Sequence, residues 1–229
     1  SPEAWAAVKT EEKKKKEEEE EGKDAVLSPP GNTARRAQLA ALFMLNFMLI
    51  VGFLRISFVY TELVFGWTSE FFDTFTALGR GVPLAIGAWL LALIWAHPPQ
   101  RVQTRLIRVA TVAIVLRMVL CALAPTGTLF FSVGALNMVG GALSPLLRAG
   151  LSATAAPSEQ GLCLTGIAAI ETVTGIWAPL AFGYVYAHTE PAHPTAVLWV
   201  FVGVAAAMVA IAASLRGGGG GNRKRLESP

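Results

Sequence analysis

Between residues 37 and 215 the chain divides into six apolar runs, at 37–60, 70–96, 104–124, 127–149, 161–187 and 194–215. Each is about long enough to cross a ~30 Å hydrocarbon layer as a helix rising 1.5 Å per residue. The breaks are short and rich in turn formers: Gly66 to Ser69, His97-Pro98-Pro99, Pro125-Thr126-Gly127, Pro157-Ser158 and Pro191 to Pro194. Membrane strands would be about ten residues of alternating polarity, whereas these runs are apolar all round. The pattern predicts an all-α, polytopic bundle of six transmembrane helices over 37–216, in contact with the lipid bilayer. Composition agrees, since 53% hydrophobic with 15% charged residues lies outside the range of ordinary soluble domains.

The flanks read differently. Residues 1–36 carry Glu11, Glu12, Lys13 to Lys16, Glu17 to Glu21 and then Ser28-Pro29-Pro30-Gly31, with too few apolar side chains to offset chain entropy. A disordered, charged cytoplasmic tail or linker is expected there. Gly217 to Gly221 followed by Arg223, Lys224 and Arg225 predicts a flexible basic tail over 217–229. The first thirty residues hold no apolar h-region, so insertion is expected to rely on the first internal helix.

Arginine placement gives an independent reading of topology. With the leading tail inside, the inner segments hold Arg35 and Arg36, then Arg101, Arg105 and Arg108, then Arg148, then Arg216, Arg223, Lys224 and Arg225, while the three outer loops hold none. Short cytoplasmic loops concentrate Lys and Arg, so the pattern predicts six spans with both termini cytoplasmic. A formal charge of +3, spread between apolar runs, does not make the continuous basic patch that a nucleic-acid partner requires.

Cys121 and Cys163 lie within apolar runs and read as small buried hydrophobes. His97, His188 and His193 are read as loop residues, and no ligand set has metal spacing, so neither a metal nor a cofactor is expected. No Ser/His/Asp or Cys/His set, P-loop or dinucleotide fingerprint is present, and the chain is read as a non-enzyme.

The chemistry-bearing residues are the polar ones within the runs. A charge near the bilayer centre costs several kcal/mol, so such a side chain faces a partner or a wet cavity. Arg80, Arg117 and Glu171 all lie within about three residues, ~5 Å, of their helix centres, and Asn46 and Asn137 are at similar depth. Transporters working by alternating access bind at this depth. Arg80, Glu171, Asn46 and Asn137 are therefore the candidates for a substrate or coupling-ion site, with Glu171 carrying a proton and its charged form stabilised by Arg80 or Arg117. The alternative is an Arg–Glu pair that only locks helices together.

Arg117, Asp73 and Trp177 are secondary candidates. Asp73 and Arg80 are seven residues apart, two turns of an α-helix, which predicts a shared face. Glu62, Glu70 and Asp73 also fit a wetted outer rim, and Arg55 is placed to snorkel. Trp177 sits deep enough to line a cavity, whereas Tyr60, Trp67, Trp95, Tyr184, Tyr186 and Trp199 suit an interfacial belt. Gly79, Gly81 and Pro83, then Gly140, Gly141 and Pro145, then Gly166, Gly175, Pro179 and Gly183 predict closely packed or flexible faces on helices 2, 4 and 5.

Phe58-Val-Tyr-Thr-Glu-Leu-Val-Phe-Gly66 with Trp67, and the stretch from Leu143-Ser-Pro-Leu-Leu-Arg148 through Pro157-Ser-Glu-Gln-Gly161 to Gly183-Tyr184, resemble the C-terminal half of fungal members of the major facilitator superfamily over residues 35–216. The resemblance implies that the leading tail corresponds to the linker between two six-helix halves, the N-terminal one missing here. It implies that helices 1, 2, 4 and 5 face a central cavity, which places Asn46, Arg80, Asn137 and Glu171 towards it and Arg117 on a peripheral helix. Residues 97–105 depart from the family in lacking its Gly-and-Asp loop motif. The implied function is secondary active transport of a small solute, driven by protons; the alternative is a non-transporting membrane scaffold or interaction subunit.

Overall fold

The computed structural model describes residues 30–94, 99–190 and 192–215. Residues 1–29 of the expected leading tail and all of the expected basic tail at 217–229, together with Trp95, His97, Pro98, Pro191 and Arg216, lie outside the described residues. Among the described residues all regular structure is helical. Helix α1 is Pro30–Phe65, and α2 is assembled from Ser69–Thr74, a π-helical Phe75–Gly81 and Val82–Ile94. Helix α3 is Gln100–Ala122. Helix α4 is broken into Gly127–Ser132, a 3-10 turn Val133–Leu136, Asn137–Gly140 and Leu143–Ala153. A short Pro157–Glu159 turn leads into α5, Gln160–Thr189, and α6 is Ala196–Ser214.

Each apolar run has become one continuous or broken helix, and α1, α4 and α5 extend beyond their runs whereas α6 falls within its own. Helix α1 starts at Pro30 rather than at residue 37, so the last part of the expected tail is helical. Proline suits a first helical position because its missing N–H would have no partner there. His188 is likewise in the last turn of α5, not in a loop, with Nδ1 2.9 Å from the Tyr184 carbonyl. Five helical stretches, Thr33–Phe65, Ser69–Leu93, Gly127–Ala153, Gln160–Thr189 and Ala196–Ser214, are long and apolar enough to cross a membrane. Helix α3, at 23 residues, has the length but carries Arg101, Arg105, Arg108 and Arg117.

Packing follows the helical period. On α1 the buried stripe runs Leu39, Leu42, Phe43, Asn46, Leu49, Phe53, Ile56 and Tyr60. On α6 it runs Val197, Leu198, Phe201, Ala205, Met208 and Ala212. These spacings of three and four keep one face inward. Helix α1 packs on α4, α5 and α6; α3 lies along α6 and α4; α2 packs chiefly on α4. The outward faces are just as apolar, with Leu162 73%, Trp177 68% and Leu180 64% exposed. Soluble monomers do not present apolar surface on this scale.

The two ends of the bundle differ. At one end Arg36 Nη1 donates to Glu159 at 3.0 Å, Arg35 Nη2 to Thr104 Oγ1 at 3.4 Å, and Gln38 Nε2 to Ser214 Oγ at 3.1 Å. There Arg108 caps α6, donating to the carbonyls of Ala212, Ala213 and Leu215 at 3.1, 3.2 and 2.6 Å. These carbonyls have no partner within the helix, and a cation suits a helix C-terminus. The other end holds an aromatic cluster in which Phe130 lies 6.0 Å from both Tyr60 and Trp67 and 5.8 Å from both Phe65 and Phe75. The exposed Glu62, Glu70 and Asp73 are at this end. Tyr60 and Tyr186 are 1% and 6% exposed and belong to the core, unlike the expected belt, whereas Tyr184 and Trp199 are exposed.

Helices α2 and α4 meet backbone to backbone. A Cβ on Gly87 would fall on the Met138 carbonyl oxygen, and one on Gly134 on the Gly79 carbonyl oxygen. Gly166, Gly175 and Gly183 on α5 have no described atom within 4 Å of that position, so the close packing expected of helices 2 and 4 is found and that of helix 5 is not. Gly87→Ala is accordingly expected to lower stability by about 1–3 kcal/mol through overpacking, and Gly183→Ala to lower it not at all. Thermal or denaturant unfolding of the detergent-solubilised protein measures both.

Candidate functional site

The polar side chains that drew notice in the sequence are held in place by irregular backbone. In α2, Pro83 has no N–H for the Gly79 carbonyl, and the ladder shifts so that the Val82 N–H donates to Ala77. The resulting π-helical turn contains Thr76 and Arg80. Such turns are rare and favour functional positions. In α4, Gly134, Gly140, Gly141 and Pro145 flank the break that puts Asn137 at the start of a new helical piece. These two irregular stretches touch, Gly134 against Gly79, and together border one cavity.

The cavity has a volume of about 370 Å³, at the lower end of small-molecule sites. Helix α1 supplies Asn46, Leu49, Ile50 and Leu54; α2 supplies Thr76, Arg80, Gly81 and Leu84; α3 supplies Ile114 and Arg117; α4 supplies Asn137, Gly140, Gly141 and Ser144. Asn46, Arg80 and Asn137, expected to converge from three helices, do converge. Arg117 joins them although a peripheral helix was expected for it: α3 lies against α4 and turns Arg117 inward, 6% exposed.

Hydrogen bonding within this group is incomplete. Arg117 Nη1 donates to Asn137 Oδ1 at 2.9 Å. The Arg80 and Arg117 guanidinium carbons lie 5.2 and 5.1 Å from the centroid of the Phe53 ring, which is 1% exposed. Cation–π contact of this kind is worth about 0.5–2 kcal/mol, less than the desolvation of either charge. Arg80 Nη1, Arg117 Nε, Asn137 Nδ2 and Thr76 Oγ1 are buried with no partner. Among the described residues no carboxylate forms a salt bridge with Arg80 or Arg117.

Three expected site residues lie elsewhere. Glu171 forms an ion pair with Arg148 of α4, not with Arg80 or Arg117. The two side chains are 24% and 51% exposed, and the Arg148 guanidinium lies 5.6 Å from the Phe43 centroid. One turn separates Phe43 from Asn46 on α1, so this pair is beside the cavity rather than in it. Asp73 is exposed and does not share a face with Arg80, because the π-helical turn between them destroys the two-turn alignment of an α-helix. Trp177 stands in an exposed apolar stripe with Val173, Ile176, Leu180 and Tyr184 and lines no part of the cavity.

Thr76 and Arg148 were not singled out from sequence. Thr76 stands four residues before Arg80, a spacing that signals a common face, and Arg148 stands in the sequence as a topology marker and as part of the motif that carries the resemblance. Cys121 and Cys163 are buried and free. Among the described residues no three His, Cys, Asp or Glu side chains gather.

No family model matches the chain, and no curated protein matches it either. The site is therefore read from its own chemistry.

Two cations buried side by side without an acid weaken the empty protein. Replacing one by an apolar side chain of similar length removes an uncompensated charge, and Arg80→Met is expected to raise stability by on the order of 1 kcal/mol or more. An unfolding midpoint for the ligand-free protein tests this; a fall would make Arg80 a structural strut.

Proposed function

We propose that this chain is the C-terminal half of a secondary active transporter resembling the major facilitator superfamily, moving a small solute by alternating access with proton coupling. It would be a multi-pass membrane protein with both termini cytoplasmic, completed by a six-helix N-terminal half. The observation that carries the reading is the cavity at mid-helix depth, where Asn46, Arg80, Arg117 and Asn137 come together from four helices. Mid-depth sites lined by discontinuous helices are where alternating-access transporters hold their solutes. The irregular stretches of α2 and α4 border this cavity.

Two further observations support the reading. A helix-locking scaffold would spend its buried arginines on acidic partners, and Arg80 and Arg117 have none among the described residues. The basic end of the bundle gathers the start of α1, the start of α3 and the end of α6, as an alternating up-and-down chain with inside-positive loops requires. In this scheme protonation of Glu171 releases Arg148, breaking an ion pair between α4 and α5 beside the solute cavity.

Uptake by the full-length protein, at equal surface expression, tests the assignment. Arg80→Ala is expected to reduce uptake by about tenfold or more, the effect of losing one charged hydrogen bond to the solute. Glu171→Gln is expected to abolish the rise in uptake that acidification produces. Unchanged, pH-dependent uptake in both variants removes the proposed roles.

A further inference from the structure

The cavity is furnished for one class of molecule. Arginine stays protonated, so neither Arg80 nor Arg117 can escape the cost of burial by losing its proton. Their unpartnered Nη1 and Nε groups are donors only, and the free Asn137 Nδ2 is a donor as well. The Asn137 oxygen already accepts from Arg117 Nη1. Elsewhere in the helices, hydroxyls satisfy themselves on the carbonyl four residues back: Thr61 on Ser57, Thr111 on Ile107, Thr165 on Gly161 and Thr172 on Ala168. Thr76, which lies in the π-helical turn and lines the cavity, does not, and its buried hydroxyl is without a partner. Among the described residues the acids are committed or remote: Glu171 is on Arg148, Glu159 is on Arg36, Glu190 follows the end of α5, and Glu62, Glu70 and Asp73 are exposed at the aromatic end.

From this juxtaposition of two acid-free arginines, an unpartnered amide donor and a free hydroxyl with an apolar wall of Leu49, Ile50, Leu54 and Leu84, we propose that the cavity binds a small organic carboxylate. Its carboxylate lies between Arg80 and Arg117, and its hydrocarbon body rests on the leucine and isoleucine side chains. An oxyanion supplies what the site lacks, one negative charge and up to four lone-pair positions for the unused donors. The wall sets the rest: a bare inorganic anion would leave those apolar side chains without contact, whereas a short aliphatic or aromatic body covers them. This deepens the transport reading by naming the solute class, but the binding itself does not require that transport occur.

The test is ligand binding by the intact purified chain in detergent, read by thermal stabilisation and calorimetric titration. The probes are butyrate and benzoate, their neutral isosteres butyramide and benzamide, and inorganic phosphate. The carboxylates are expected to bind saturably and the amides not to bind. Arg80→Gln and Arg117→Gln are each expected to weaken carboxylate binding by about tenfold or more, the factor given by one charged hydrogen bond. Arg55→Gln, which removes the same charge from an exposed position, should leave affinity within about twofold, as expected of a screened surface charge. Selectivity of the unaltered chain for acid over amide decides the matter even if an arginine variant fails to fold. Amides binding as tightly as acids, carboxylate affinity surviving in both arginine variants, or no carboxylate binding at all overturns the proposal, and phosphate binding as tightly as benzoate overturns the role of the apolar wall.

The same carboxylates, offered as competitors for uptake by the full-length protein, separate the two readings. Carboxylate binding with no uptake of any bound probe leaves the site standing and removes the transport assignment. Uptake that proceeds while carboxylates neither bind nor compete does the reverse.

Discussion

The outward faces of these helices are apolar, and from that follows a rule on every polar group inside: it must find its partner within the protein. Most do. Threonine hydroxyls fold back onto their own helices, Arg108 covers the last carbonyls of α6, and Gln103 donates to the Leu146 carbonyl across the α3–α4 contact. With so consistent a background, a cluster of unmet donors is informative. Among the described residues, four of the five buried side-chain atoms without partners belong to residues lining one cavity.

The cavity exists because two helices give up regularity in the same region. Glycines at 79, 87 and 134 let the backbones of α2 and α4 touch, and that contact holds the irregular stretches in register with each other. Helix α3 then presents Arg117 from behind α4, and Asn137 links the two by accepting its hydrogen bond. The resulting block of α2, α3 and α4 is tied by carbonyl contacts and a polar bond. Helix α5 is attached to this block through Arg148 and Glu171, whose ion pair is partly exposed. Tight and loose attachments are thus divided within the bundle.

Hydropathy made the helices legible, because a run of apolar residues about twenty long has few alternatives to a helix once water is scarce on every side. Depth along each run was legible for the same reason, and it singled out Asn46, Arg80 and Asn137 for one level. Which way a side chain points at that level was not legible. Arg117 looked peripheral because its helix was placed by resemblance, and Glu171 was matched with the arginines at its own depth instead of with Arg148 on the adjoining helix. Asp73 was lost to the π-helical turn, whose signal, Gly79-Arg80-Gly81 followed by Pro83, marks irregular backbone without saying how the helix phase changes. Trp177 was judged by depth alone, whereas its neighbours Val173, Ile176 and Leu180 make it part of an outward stripe.

The π-helical turn at Phe75–Gly81 works as a phase corrector. Before it and at its first residue, the helix sets Phe72 and Phe75 into the aromatic core; after it, the helix sets Gly87 against the Met138 backbone. Within it, one widened turn allows Thr76 and Arg80 to be aimed at the cavity without disturbing either commitment. Winding these same residues as a regular α-helix would rotate everything downstream by about a quarter turn. The widened turn therefore keeps two surfaces aligned, the aromatic core and the glycine contact, which a regular helix of the same sequence would set apart.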